Sequence, residues 1–290
     1  IVYEELIEGS KTRFAAIYHS TLPIEVGPVR SGRTSDIDLF DGLGMPALGF
    51  SGGNSVVLGA IRSAANRDEI VDVGAIWRES YYYRVDDRSA PYNLWFSPFD
   101  DDGEEREIRG LTTPGPQFVY GTLDESVGQP IGGVSVNYPP SFSGRESVHI
   151  WDEAVGGWVR VQDGTLHTGL LDGEETEIAP ANVVVALIPY GVSPADPASP
   201  EAESFGMGGV QVFTQGREVQ GQWIRSEENP VWDLRTVGGD PIPLAPGATW
   251  VLLVANSASR FASGDITTYS QTDAAVILRD ARDLLTLEAN

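Results

Sequence analysis

Apolar and polar positions follow two different rhythms along the chain. In the first hundred residues short apolar runs alternate with helical spacing. Arg13–Ser20 (RFAAIYHS) is a short apolar run bounded by polar residues and predicts a largely buried strand near 12–20. Extended backbone sends alternate residues to one face, so Arg13, Ala15, Ile17 and His19 point one way and Phe14, Ala16 and Tyr18 the other. Ahead of it, Ile1, Val2, Leu6 and Ile7 are interleaved with Glu4, Glu5 and Glu8, which predicts a helical or irregular amphipathic lead-in ending at Gly9. Arg33–Phe40 predicts a helix with Ile37 and Phe40 inward, Asp36 and Asp38 in its first turn, and Gly42 and Gly44 after its end. Pro46–Phe50 reads as a short strand. Ser51-Gly52-Gly53-Asn54 then turns it into a helix over Ser55–Ala65, with Asn54 as N-cap and Val57, Ile61 and Ala64 on one face. Strand, glycine turn and helix in succession are an α/β signature. Ile70–Val73 and Tyr81–Val85 read as further strands.

From about residue 130 the rhythm becomes strand and turn. Strands are predicted at Val134–Tyr138, Val148–Trp151, Trp158–Val161, Asn182–Ile188, Val210–Thr214, Gln222–Arg225, Val231–Leu234 and Trp250–Val254, with hairpin turns at Asp163-Gly164 and Gln215-Gly216-Arg217. Residues 191–206, rich in Pro, Ser, Ala and Glu, read as an exposed insertion. Asp273–Leu287 returns to helical spacing, with Val276, Leu278, Leu284 and Leu285 as its apolar face. The fold class expected is α/β in the broad, mixed α+β sense. A mixed-sheet α/β domain over residues 1–115 is followed by a β-rich antiparallel domain over 116–256 and a helical extension over 257–290.

Charge narrows the function classes. The 290 residues carry a formal net charge of −23, a surface that repels nucleic acid and anionic lipid headgroups. An anion site here must be a local basic pocket in a negative field. Lys11 is the only lysine, so arginine supplies the remaining cations. Without cysteine there are no disulfides, no Cys-ligated zinc and no cysteine nucleophile. No apolar run reaches the roughly 20 residues that span a bilayer. The chain starts in mid-pattern at Ile1, so a preceding segment is expected to be missing.

The residues with the most chemistry lie in Gly27-Pro28-Val29-Arg30-Ser31-Gly32-Arg33. Arg30, Ser31 and Arg33 stand at a predicted helix start, where free N–H groups attract negative charge and guanidinium forks match phosphate or carboxylate oxygens. Arg13 and His19 on the neighbouring strand extend this candidate anion pocket. The alternative is that Arg30 and Arg33 pair with Asp36, Asp38 or Glu25. Ser51 and Asn54 add a glycine turn before a helix, neither a P-loop nor a dinucleotide fingerprint. Arg88 and Asn93 stand in a loop, Arg88–Leu94, placed to close over a pocket; ordinary turn chemistry is the alternative. His19, His149 and His167 have no metal-ligand spacing, and neither a metal nor a cofactor is expected. Trp151, Trp158, Trp223, Trp232 and Trp250 read as core.

Four blocks, Ile1–Gly9 (IVYEELIEG), Arg13–Ser20, Gly27–Arg33 (GPVRSGR) and Arg88–Leu94 (RSAPYNL), together resemble the YerB-like family of bacterial lipoproteins, the domain of unknown function DUF3048. Trp158–Asp163, Ala181–Val185, Gly221–Ile224 and Leu244–Val251 continue the resemblance into the second half, so it covers residues 1–255. The resemblance implies an exported protein, anchored through a lipidated N-terminal Cys absent from this chain, with a mixed α/β domain and a β-rich domain. It implies no activity. Where the family pattern APHNL is expected, this chain has Ala90-Pro91-Tyr92-Asn93-Leu94, and a tyrosine does not titrate near neutral pH. The expected function is therefore an extracytoplasmic binding module for an anionic, phosphate-bearing envelope lipid or glycan. An envelope phosphotransferase or hydrolase and a structural docking partner are the alternatives.

Overall fold

The computed structural model describes residues 1–138, 146–171 and 174–288. The chain opens on a hairpin, β1 (Val2–Ile7) and β2 (Lys11–Ala16), followed by α1 (Ser35–Phe40), β3 (Ala47–Leu48), α2 (Ser55–Asn66), β4 (Val71–Asp72), β5 (Tyr82–Arg84) and β6 (Leu94–Phe96). Next come β7 (Gln129–Pro130), β8 (Gly133–Asn137), β9 (Glu146–Asp152), β10 (Gly157–Gln162), β11 (Thr165–Leu166), β12 (Thr168–Leu171) and β13 (Glu174–Glu177). The chain then forms β14 (Asn182–Ile188), β15 (Tyr190–Val192), β16 (Pro200–Ala202), β17 (Gly206–Thr214), β18 (Arg217–Arg225), β19 (Asp233–Thr236) and β20 (Thr249–Ala255). It closes with β21 (Asp265–Tyr269) and α3 (Gln271–Glu288).

β14 (NVVVALI) and β20 (TWVLLVA) are uninterrupted runs with little alternation, and nearly every residue in them is buried. Strands apolar on both faces belong at the centre of a sheet that is covered on both sides. They lie there, in the order β19-β18-β17-β14-β20-β1-β2, with β7 added beside β18. β14 pairs with β20 in parallel, and so does β20 with β1, while the other pairs are antiparallel. The main sheet is therefore mixed rather than antiparallel. A second sheet, β11-β10-β9-β8-β21, is wholly antiparallel. Its alternation explains its position: Trp158 and Val134 pack into the core of the main sheet, while Val148, Ile150, Val159 and Val161 form a separate cluster with Ala274, Leu278 and Ala281 of α3. The other face of the main sheet is covered by Leu39, Phe40, Val57 and Ile61 from α1 and α2.

Several expectations change. Residues 1–9 form a strand and a turn, not a helix. Both faces of β1 are covered, so its interleaved acids mark buried hydrogen-bonding groups: Glu4 is 1% exposed and Glu5 3%. The division at 115/116 does not separate independent sheets, because β1 and β2 complete the sheet built by β14 and β20. The described residues 257–288 are no appendage, since β21 pairs with β8 and α3 covers the second sheet. Val276 and Leu284 are exposed, and the buried stripe of α3 runs through the small residues Ala274 and Ala281, which let the helix approach the sheet closely. Residues 191–206 are not a solvated insertion: β15 and β16 pair, and Ser193, Ser199, Ala202 and Ser204 are buried. Trp158, Trp223, Trp232 and Trp250 are buried, as core tryptophans should be.

Candidate functional site

The first hairpin brings Arg13 to the face that carries α1. Gly9 takes φ +70 in the connection, a left-handed value that favours glycine, and β2 follows. Arg13 then stands opposite Glu5 in the β1–β2 register. The turn that leads into α1 is fastened to the turn that leads into α2: Ser51 N–H donates to Arg30 O (2.8 Å) and Gly32 N–H to Gly52 O (3.0 Å). Gly32 suits this packing, since an added Cβ would stand 2.9 Å from Ile61 Cδ1 and the buried isoleucine would have to shift. Asn54 Oδ1 caps α2 by accepting from Val56 and Val57 N–H, and its Nδ2 donates to Ala195 O at 3.0 Å. That last bond draws the 193–199 loop over the site. These segments enclose a cavity of about 320 Å³ lined by Glu8, Arg13, Ser31, Arg33, Thr34, Asn54, Ser193 and Ser199, with Gly32, Gly53, Val57, Ala195 and Asp196.

The two arginines of the cavity are in different electrostatic states. Arg33 lies 2.6 Å from the Glu8 carboxylate and donates to Ser199 Oγ at 3.5 Å, and its Nε is buried without a partner among the described residues. Arg13 donates to Ser31 O at 3.2 Å and, among the described residues, has no carboxylate at ion-pair distance. Burial, then the neighbouring charge of Arg33, lower its pKa, with Arg30 adding to the repulsion, while the nearby Glu8 and Glu5 carboxylates act in the opposite direction. Glu8 is held below the usual carboxylate range: burial acts to raise it, but its backbone hydrogen bond and Arg33 outweigh that. Asp196 accepts from Ala198 N–H and so is engaged in its own turn.

Behind this wall lies a group of buried acids. Glu5 accepts from Ser35 Oγ at 2.7 Å, and Asp36 accepts from Arg33 N–H at 2.7 Å. Burial, reinforced by the Asp36 charge, pushes Glu5 up to about 8, and burial pushes Asp36 up to about 6. Thr34 Oγ1 donates to Glu201, whose carboxyl is likewise raised by burial. Glu5, Asp36 and Glu201 do not line the cavity.

Of the residues singled out in the sequence, Arg13, Ser31, Arg33 and Asn54 come together in the cavity wall. Ser51 contributes its backbone to the fastening of the two turns. Arg30 does not line the cavity: its guanidinium stacks over Tyr92, 4.8 Å from the ring centroid, and reaches Pro91 O at 3.5 Å. Arg88 lies over Trp95, and Asn93 accepts from Arg84 at 2.7 Å, so this loop is tied to itself. His19 lies beyond the end of β2 and is exposed, because the strand parity that would align it with Arg13 stops at Ala16. Glu8, Ser193 and Ser199 were missed. For the two serines the sequence signal is the apolar pattern of Tyr190 and Ala202, which marks 190–202 as a paired, buried hairpin. A larger cavity of about 560 Å³ lies between α3 and β9, but its cations are committed. Arg282 bridges Asp152 and Glu177, and Arg279 pairs with Asp280.

Residues 1–109 match the N-terminal domain, and residues 134–251 the C-terminal domain, of the protein of unknown function DUF3048. The putative lipoprotein YerB of Bacillus subtilis (strain 168) is 27% identical over 261 residues, spanning 88% of this chain and 74% of that protein. The crystal structure of the YerB protein from Bacillus subtilis superimposes with a TM-score of 0.70 at 20% identity, over 92% of this chain and 85% of that one. Among the described residues no helix is long and apolar enough to cross a membrane.

Proposed function

The chain belongs to the DUF3048 family of unknown function, and from that premise we propose that it is an extracytoplasmic, lipid-anchored binding module. Its ligand is an anionic, phosphate-bearing component of the envelope, held in the cavity of Arg13 and Arg33. The membrane location rests on similarity to a putative lipoprotein. The anion reading rests on one observation: Arg13 faces the cavity with no carboxylate partner among the described residues, beside a second guanidinium, in a chain of net charge −23. A partly buried cation with no carboxylate at ion-pair distance is costly even with Glu8 and Glu5 nearby, and a ligand phosphate offsets that cost through charge-assisted hydrogen bonds.

Binding is favoured over acid–base catalysis in this reading, because the acids behind the wall do not line the cavity, where a general acid or base must reach the reacting atom, and the two carboxylates that do are engaged, Glu8 by Arg33 and Asp196 by Ala198 N–H. The test is thermal denaturation in inorganic phosphate and pyrophosphate against chloride at equal ionic strength. A ligand that binds only the folded state raises its melting temperature. Wild type is expected to gain stability from phosphate and pyrophosphate but not chloride, and Arg13→Ala to gain none. Equal shifts in both proteins would refute the reading.

A further inference from the structure

The cavity opens over glycine. Gly53 is part of its lining, and Gly52 precedes it. A Cβ added at Gly52 would stand 3.8 Å from Ile76 Cδ1, and one added at Gly53 would stand 3.0 Å from Val57 Cγ1, in the cavity wall, and 3.8 Å from Leu58 Cδ2. No side chain at these two positions separates the cavity from the surface beyond. That surface is apolar. Ile76 is 47% exposed and Trp77 51%, and Leu58, one helical turn before Arg62, is only partly buried. The Arg62 guanidinium lies over the Trp77 ring, 4.9 Å from its centroid, so the charge at the edge of this strip is directed onto an aromatic face. Two large exposed apolar side chains next to a charged cavity form a surface with two chemistries joined at a lip without side chains.

We propose that the occupant is a single-chain lipid phosphate, with its phosphate on Arg13 and its hydrocarbon chain crossing the Gly52–Gly53 lip onto Leu58, Ile76 and Trp77. This rests on the anion reading of the cavity. The cavity volume of about 320 Å³ suits one headgroup, and the exposed side chains beyond the lip, Ile76 and Trp77, are the apolar surface a hydrocarbon chain would cover. The chain's net charge of −23 opposes docking onto an anionic bilayer, so the lipid is taken as a single molecule rather than as a membrane surface.

The experiment compares farnesyl phosphate, farnesol and inorganic phosphate by calorimetric titration, with farnesyl phosphate kept below its aggregation concentration. Wild type, Arg13→Ala and the double variant Ile76→Ser/Trp77→Ser are used. Both residues of the double variant are about half exposed, so the fold is expected to survive. Farnesyl phosphate is expected to bind wild type at least about tenfold more tightly than inorganic phosphate or farnesol, a difference of about 1.4 kcal/mol. The double variant should lose that advantage and keep its affinity for inorganic phosphate, whereas Arg13→Ala should lose both. Equal affinity of wild type for farnesyl phosphate and inorganic phosphate overturns the lipid assignment and leaves the anion pocket standing. Farnesol binding as tightly as farnesyl phosphate, or an unchanged double variant, also overturns it. Absence of binding by either phosphate overturns the assignment together with the anion reading beneath it.

Discussion

Glu4 and Glu5 are neighbours in the chain with opposite surroundings, because extended backbone sends successive side chains to opposite faces. Glu4 meets Arg160 of the second sheet at 3.1 Å, and Glu5 meets Ser35 of α1 at 2.7 Å. Glu5 has no ion pair among the described residues, and burial raises its folded-state pKa from 4.5 to about 8. The sign follows directly. Below pH 4.5 both folded and unfolded chains carry a protonated Glu5. As pH rises from 4.5 to 8 the unfolded chain ionises first, so stability is lost across that window. Asp36 titrates at about 6, which leaves Glu5 as the member of the pair still changing between pH 6.5 and 8. Glu5→Gln keeps the Ser35 contact without the charge. Wild type is expected to lose up to about 1.4 kcal/mol per pH unit more than Glu5→Gln between pH 6.5 and 8, measured by urea denaturation. Parallel pH profiles would show that Glu5 is not buried as a neutral acid.

At the scale of elements, β1 is the strand on which both faces of the fold depend. Glu4 accepts from Arg160 Nη2, Trp250 Nε1, Thr12 Oγ1 and Ser147 Oγ, and Arg160 is itself 1% exposed and stacked over Trp250 at 4.8 Å. A buried pair of this kind adds little net stability over an apolar pair, but losing one partner strands the other charge. Arg160→Leu is therefore expected to cost about 3–5 kcal/mol, read from denaturant midpoints. A loss under about 1 kcal/mol would mean that Glu4 finds water instead. The sequence showed α2 clearly, because Asn54, Val57, Ile61 and Ala64 obey cap and helix rules that are local. β14 and β20 were equally legible as apolar runs. β1 was not, since interleaved acids look solvated until their partners are known: Glu4 meets Ser147, Arg160 and Trp250, more than 140 residues away, and Glu5 meets Ser35. The β15–β16 hairpin failed for a related reason: proline, serine and alanine usually mark exposed chain, and here their small side chains close the cavity wall.

At the scale of the molecule, the two family-matched regions build one mixed sheet, and the cavity lies where the hairpin of the first meets the 193–199 loop of the second. Arg33 was legible as a cation at a helix start and Arg13 as a cation on the neighbouring strand. That Arg33 is already matched by Glu8, while Arg30 stacks on Tyr92, depends on turns whose geometry no local pattern encodes. The difference between the two cavity arginines makes Glu8 an internal competitor for any incoming anion. The measurement closest to the central claim is calorimetric titration of inorganic phosphate into wild type, Arg13→Ala and Glu8→Gln. Charge-assisted hydrogen bonds are worth about 1.5–3 kcal/mol, so Arg13→Ala should bind about ten- to a hundredfold more weakly. Glu8→Gln, which releases Arg33, should bind about tenfold more tightly. If Arg13→Ala and wild type bind phosphate equally, or Glu8→Gln weakens binding, the cavity is not an anion site.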